Sequence, residues 1–266
     1  MAAASRRNRR PGSGPRDRPR IGSTIWFDLD VTDWASITDV YGPAGDVPRL
    51  LQEAEAAGDE PKAWNDLWGR LCHQGTVSPA SYAALPLLFD IAERHGGATH
   101  IAALDLAAGI LASTDGPRDL ADVRSEHAVT IARLRDLAER NLAWAQSDAD
   151  FVYAVQALMA FEGRGAWQRE LSALVDGELG FECPRCGEDL LLDLEGGTYS
   201  VTSFSDGSCL PTTAIAADPG PGSDERRVLD LAIESGREGV VDRLRRVFGD
   251  VVCPRCGERF GIPSAM

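Results

Sequence analysis

Residues 181–190 read FECPRCGEDL and residues 251–260 read VVCPRCGERF, so the pentapeptide Cys-Pro-Arg-Cys-Gly occurs twice. These two stretches decide how the C-terminal third of the chain folds. They place Cys183 with Cys186 and Cys253 with Cys256, with 66 residues between the pairs. Two cysteines at this spacing can face one ion from a tight turn, and two such pairs complete a tetrahedron of sulfurs. Pro184 and Pro254 fix φ and remove a donor, while Gly187 and Gly257 can adopt the positive φ that such turns need. Amides of the turn then point at the sulfurs and favour the thiolates. Four thiolates around a divalent ion leave a double negative charge, part of which Arg185 and Arg255 can offset.

A site whose four positions are all filled by cysteine has no open coordination position, so it is expected to be structural rather than catalytic. Iron remains an alternative to zinc, since both accept tetrahedral sulfur. Disulfides are disfavoured by the spacing and by the cytoplasmic reading below. A redox dithiol suits a lone C-x2-C better than a duplicated one. Cys209 is a spare ligand or, by default, a partly buried free thiol. Cys72 reads as core, because neighbouring His73 points about 100° away around a helix and makes a poor base for it.

The two CPRCG turns resemble the knuckles of the zinc-ribbon family, and the resemblance spans residues 178–262. It implies that Cys183, Cys186, Cys253 and Cys256 hold one structural Zn2+ per chain. It also implies that the hairpin over 190–202, LLLDLE and TYSVT about Gly196-Gly197, supplies the ribbon's sheet. The chain departs from the family in the interval between the pairs. There, residues 205–223 read as loop, and Ser223 caps a helical run interrupted at Gly236 and Gly239, so two short helices are expected before Gly249.

Upstream the grammar is helical. Pro61 opens a helix with Trp64, Leu67, Trp68 and Leu71 on one face, stopping near Gly75. Ser78-Pro79 caps and starts the next, through Leu85 and Leu88 to His95, with a kink expected at Pro86. Thr99 caps a helix through Leu111. A long helix is expected over 120–144, a buried one over 151–161, and a last one over 167–174. The apolar faces pair as in a solenoid of helical hairpins, without a fixed-period repeat. The stretch LWGRLCHQGTVSPASYAALPLLFDIA, residues 67–92, resembles a motif of uncharacterised bacterial HEAT-like helical proteins, some found beside toxin systems. That resemblance implies a helical-repeat interaction scaffold and transfers no catalytic residue. The fold class is therefore mainly α: an irregular HEAT-like helical-hairpin array over 23–177, followed by a small α+β zinc-ribbon-like module over 178–266, with a disordered basic tail over 1–22.

Charge separates these parts. The formal net charge over 266 residues is −14. Seven arginines against one aspartate in residues 1–20 leave residues 21–266 with 20 basic and 40 acidic side chains, a net of −20. Such a body repels nucleic acid and suits a basic protein partner. The tail, with Arg226, Arg227, Arg237, Arg243, Arg245 and Arg246, is the footing for the alternative, a nucleic-acid-associated zinc factor. No apolar run is long enough to span a bilayer and no apolar stretch follows the N-terminal arginines, which gives a cytoplasmic expectation.

The segment IWFDLDVTD, residues 25–33, reads as a short strand or lead-in; Asp28, Asp30 and Asp33 read as an acidic loop, with Asp33 capping a helix, before they read as a divalent-ion site. His95, His100 and His127 read as helix-end residues. No Walker, GxSxG, HExxH or Rossmann pattern is present. The functional expectation is a non-enzymatic, zinc-binding scaffold of immunity or regulatory type. An enzyme with an unrecognised site around Asp28, Asp30 or His73 is the remaining alternative.

Overall fold

Ser78 and Pro79 begin the helix that the sequence marks most clearly. In the computed structural model the Ser78 amide donates to Ser81 Oγ at 2.8 Å, Pro79 takes the first helical position, and α3 runs Pro79–Arg94. The structure describes residues 32–58, 61–95, 101–205 and 210–266. The expectations for residues 1–22, for 25–31, and for Thr99, His100 and Cys209 lie outside them. α3 continues through Pro86, the position at which the sequence predicts a kink. Leu85 and Leu88 on this helix are fully buried, and tertiary packing of that kind sustains a helix against one lost backbone bond.

Before α3 come a minimal hairpin, β1 (Thr38–Asp39) and β2 (Gly42–Pro43), then α1 (Val47–Ala57) and α2 (Pro61–Leu71). Asp33 caps no helix: its carbonyl accepts from the Ser36 amide in a turn at 3.0 Å, and the first described helix begins at Val47. After α3 come α4 (Ile101–Ala112), α5 (Leu120–Glu126), α6 (Ala128–Leu142) and α7 (Asp148–Glu162). Consecutive helices pair as α1 with α2, α3 with α4, and α6 with α7. Between pairs, α1 meets α3 and α3 meets α6 in one layer, while α2 meets α4 and α4 meets α7 in the other. This is a two-layered stack of helical hairpins, with apolar faces buried between neighbours.

The single helix expected over 120–144 is two. His127, at φ −97° and ψ 18°, ends α5 and begins α6. The bend carries Arg124 across the C-terminal ends of two other helices. Its guanidinium donates to the Leu111 carbonyl of α4 at 3.3 Å and to the Ala160 and Phe161 carbonyls of α7 at 2.5 and 3.2 Å. Carbonyls at helix ends lack intrahelical partners, and a cation there also meets the negative pole of the dipole. Similarly, the helix expected over 167–174 is two single turns, α8 (Trp167–Glu170) and α9 (Ala173–Asp176). The Ser172 amide between them is taken by Gln156 Oε1 at 2.7 Å.

Gly177, with φ 85°, turns the chain into the β region. Strands β3 (Glu178–Glu182), β4 (Asp189–Asp193), β5 (Ser200–Ser203) and β6 (Thr212–Thr213) form one antiparallel sheet in that order. The hairpin read from the sequence is β4–β5, with Leu192 opposite Val201. Two helices follow, α10 (Asp224–Glu234) and α11 (Glu238–Val247), then a second hairpin, β7 (Asp250–Val252) with β8 (Arg259–Gly261), and a closing 3-10 turn over Ile262–Ala265. Within 205–223, read from sequence as loop, the chain forms β6 and an antiparallel bridge from Ile215 to Asp250 that joins the two hairpins.

The helices between the cysteine pairs belong to the helical body as much as to the sheets. α11 packs on α7 and α9. Trp167 meets Phe248 edge-on with centroids 4.8 Å apart and donates from Nε1 to Glu225 Oε1 at 2.7 Å. Arg164 pairs with Asp224 at 2.9 Å. The α10–α11 pair thus covers the end of the hairpin stack, and Thr32–Met266 forms one compact unit. Mainly α with small antiparallel sheets at the C-terminal end is the fold class read from the sequence. Among the described residues no helix is long and apolar enough to cross a membrane.

Candidate metal centre

Each CPRCG stretch is the turn of a hairpin. The first joins β3 to β4 with Glu182 opposite Asp189; the second joins β7 to β8 with Val252 opposite Arg259. The two turns have the same backbone. Cys183 N donates to the Glu188 carbonyl at 2.9 Å and Gly187 N to the Cys183 carbonyl at 2.9 Å. Cys253 N donates to the Glu258 carbonyl at 2.8 Å and Gly257 N to the Cys253 carbonyl at 3.0 Å. Gly187 at φ 66° and Gly257 at φ 74° hold the left-handed geometry that closes these rings, which a side chain at Cβ disfavours. Phe181 of β3 and Phe260 of β8 meet edge-on, 6.1 Å apart, and hold the hairpins side by side.

This arrangement gathers four thiols. Cys183, Cys186, Cys253 and Cys256 have Sγ atoms that all lie within 4.8 Å of one another. Across the knuckles, Cys183 is 3.7 Å from Cys256 and Cys186 is 3.8 Å from Cys253. A tetrahedron with metal–sulfur bonds of about 2.3 Å puts its sulfurs about 3.8 Å apart. A disulfide needs about 2.05 Å, and all four cysteines are free. The donor set and its spacing therefore fit a tetrahedral metal ion. Cys183 and Cys253 are buried, Cys256 is half-buried and Cys186 is exposed, so the cluster has one side toward solvent.

The turn amides act as the sequence suggests. Burial opposes ionisation of Cys183, yet hydrogen bonds from the Cys186 and Arg185 amides lower its thiol to about 7. Cys186 and Cys253 are raised, by desolvation and by the neighbouring thiols of the cluster, against amide hydrogen bonds from Glu188 to the first and from Cys256 and Arg255 to the second. Ligation needs thiolates, so binding an ion here releases protons.

The arginines of the turns do more than offset charge. Arg185 Nη1 donates to Glu258 Oε2 at 3.0 Å, and Arg255 Nη1 to Glu188 Oε2 at 2.5 Å. Each knuckle's arginine thus reaches the glutamate that follows the other knuckle. Glu188 is fully buried, and it also accepts from Ser203 Oγ and from the Ser205 amide. Hydrogen bonds from Ser203 and then Arg255 hold its carboxyl below the usual range. Sequence reading missed both glutamates, although the signal was present: the repeat is six residues long, Cys-Pro-Arg-Cys-Gly-Glu.

The other candidates do not gather. Cys72 is buried, and desolvation pushes its thiol up to about 11, so it is poorly ionised at neutral pH. His73 Nδ1 lies 3.3 Å from the exposed Tyr41 hydroxyl. His95 lies beside Glu55 and His127 beside Glu126. Among the described residues the four cysteines are the one group of this kind that could hold a metal ion. The arginines read as footing for nucleic acid are each engaged within the chain. Arg226 pairs with Asp230 at 2.7 Å, Arg227 with Glu162 at 3.1 Å, Arg237 with Asp148 at 3.4 Å and Arg245 with Asp218 at 2.7 Å. Arg243 and Arg246 donate to the Leu174 and Ala214 carbonyls at 2.5 and 2.9 Å.

Fold and site together define a helical-hairpin protein whose C-terminal module is built around a four-cysteine cluster. The chain matches no known family model, no curated protein and no solved structure.

Proposed function

We propose that the four cysteines hold one structural zinc ion, and that the chain is a non-enzymatic, HEAT-like interaction scaffold with a zinc-ribbon-like module. The observation that carries the zinc reading is the cross-knuckle sulfur spacing of 3.7 and 3.8 Å, with thiols at all four corners. Four cysteines leave no position for a substrate or an activated water. The metal closes the 66-residue interval that carries α10 and α11. Metal analysis of the purified protein tests this. About one zinc per chain, lost in Cys183→Ser, is expected; iron in its place, or a fully folded metal-free protein, rejects it.

The scaffold reading rests on the two-layered hairpin stack and on the net charge of −20 over residues 21–266. A surface of that charge favours a basic protein, in an immunity-type or regulatory pairing. Nucleic acid is disfavoured, because the six arginines of 226–246 are already engaged by acceptors of the chain. Affinity purification from the native cell at low and high salt tests the reading. A specific basic protein that is lost at high salt supports it; recovery of nucleic acid alone refutes it.

A further inference from the structure

A cavity of about 460 Å³ opens on the layer formed by α2, α4 and α7, closed at one end by α8. Its walls follow from helical spacing. α2 contributes Trp68, with Cys72 one turn on just past its end, and α7 contributes Tyr153, Gln156 and Ala157, residues one turn apart on one face. The floor on α4 is made of Ala108, Gly109 and Ala112 with Asp105. These small residues are why the space exists. A Cβ at Gly109 meets the Trp68 ring at 3.1 Å, so the indole leans over α4 and forms the cavity's edge.

The polar groups of this cavity are mostly acceptors without donors. Asp105 is the one charged residue of α4 and has no hydrogen bond or ion pair among the described residues. Although the residue is half-buried, desolvation among the α4 and α7 side chains pushes its carboxyl up to about 7, and no cation among the described residues opposes that. Gln168 Oε1, in the same lining, is buried without a hydrogen-bond partner among the described residues. The Asp115 carboxylate on the rim accepts from Thr76 Oγ1 at 2.6 Å and from no other side chain among the described residues. The single cation of the lining, Arg169, is turned to the Ala112 carbonyl at 3.3 Å and to Glu170 at 3.9 Å. The Asp105 carboxylate is half-buried and faces the cavity, and the buried Gln168 carboxamide oxygen beside it has no partner among the described residues; a cationic donor in the cavity would serve the acid and offset the cost of the unpaired oxygen.

We propose that this cavity is a binding site for a small organic amine with a ring-sized apolar body, its ammonium group held by Asp105 and Gln168 and its body against Trp68 and Tyr153. The class follows from three features. The acceptors select a donor, and the carboxyl selects a positive one. The aromatic walls favour both a ring and an adjacent cation. The volume matches a small molecule and far exceeds one protein side chain. This inference is independent of the zinc reading, since no residue of the cavity belongs to the cysteine module.

The test uses the full chain, with 2-phenylethylamine, neutral 2-phenylethanol and anionic 3-phenylpropanoate as matched probes in calorimetric titration. The expected result is measurable binding of the amine at micromolar to millimolar concentration. The alcohol binds at least about ten-fold more weakly and the anion does not bind. Asp105→Asn, which keeps shape and removes charge, lowers amine affinity about ten-fold or more, and Gln168→Leu lowers it by a smaller factor. In nitrogen-edited spectra of the wild-type chain, the Trp68 indole resonance shifts with the amine. No amine binding, equal binding of the three probes, unchanged affinity in Asp105→Asn, or shifts elsewhere than Trp68 overturns the assignment.

Discussion

Arg185 donates to Glu258, 73 residues away, across the space between the two cysteine turns, and Arg255 returns the contact to Glu188. The two halves of this exchange differ in environment. Arg185 and Glu258 have 64 % and 40 % exposed side chains, whereas the Glu188 side chain is 0 % exposed and is held by Ser203 and Ser205 besides Arg255. Exposed pairs contribute about 0–1 kcal/mol. A buried acceptor with several donors leaves those donors unpaired when removed. Glu188→Ala is therefore expected to lower the urea midpoint of the zinc-loaded protein clearly, and Glu258→Ala to leave it within about 1 kcal/mol of the parent. Equal effects of the two substitutions contradict the asymmetry.

Metal removal should be felt locally. The β3–β4 and β7–β8 hairpins are short and meet at the cysteines, so they depend on what holds the turns together. The helices between them are held differently. Arg243 donates to the Leu174 carbonyl at 2.5 Å, Arg237 pairs with Asp148 at 3.4 Å, and Trp167 packs on Phe248, all without the cysteines. Chelation is expected to raise amide exchange in β3, β4, β7 and β8 while α10 and α11 stay protected. Exchange that rises equally in α11 and β7 contradicts the separate anchoring of α11.

What the sequence made legible follows from how local the signal is. The cysteine pairs are three residues apart and their turns are set by Pro and Gly on the spot, so the knuckles could be read directly. Ser78-Pro79 marked the start of α3 for the same reason. The misses are tertiary. Nothing near His127 announces that Arg124 must reach the carbonyls of Leu111 and Ala160, yet that reach splits the expected long helix. Ser172 loses its helical bond to Gln156, 16 residues earlier. β6 pairs through Val201 with Thr212 and cannot be seen in a segment rich in Pro and Gly. Sequence reading passed over Asp105, the one charged residue of α4, and only the packing of four helices shows that it floors a cavity.

Gly249 gives a prediction about the join between the sheets. It precedes β7 at the place where Ile215 bridges to Asp250, and its amide neighbours pair there: Ile215 N donates to the Asp250 carbonyl at 2.8 Å and Asp250 N to the Ile215 carbonyl at 3.0 Å. A Cβ at Gly249 lands 1.8 Å from the Ile215 carbonyl oxygen and 3.0 Å from that of Arg245. Both are backbone atoms, so relief requires moving a strand or a helix end. Gly249→Ala is expected to cost more than about 3 kcal/mol, or to prevent folding of the module. Gly220→Ala, with nothing within 4 Å, serves as the neutral control. Equal melting temperatures for the two variants contradict the close approach.

Asp105 also makes stability depend on pH in a stated direction. Desolvation pushes its carboxyl up to about 7 in the folded chain, against the ordinary value of 3.8 that it regains when the chain unfolds. Between these values the folded chain holds a proton that the unfolded chain has lost, so stability falls as pH rises through this window and stays lower above it. Asp90, raised to about 6 by burial against the opposing charges of Arg94 and Arg133, has the same sign. Asp105→Asn removes one titration and leaves the other. The variant should gain on the parent steadily between about pH 4 and 7, reaching a plateau of roughly 2–4 kcal/mol at pH 8. Water entering the cavity brings the value to the lower end. Urea unfolding of both proteins at pH 5 and pH 8 measures the change, and every group shared by the two chains cancels in the difference. A difference that stays constant with pH places the Asp105 carboxyl in contact with solvent or with a cation.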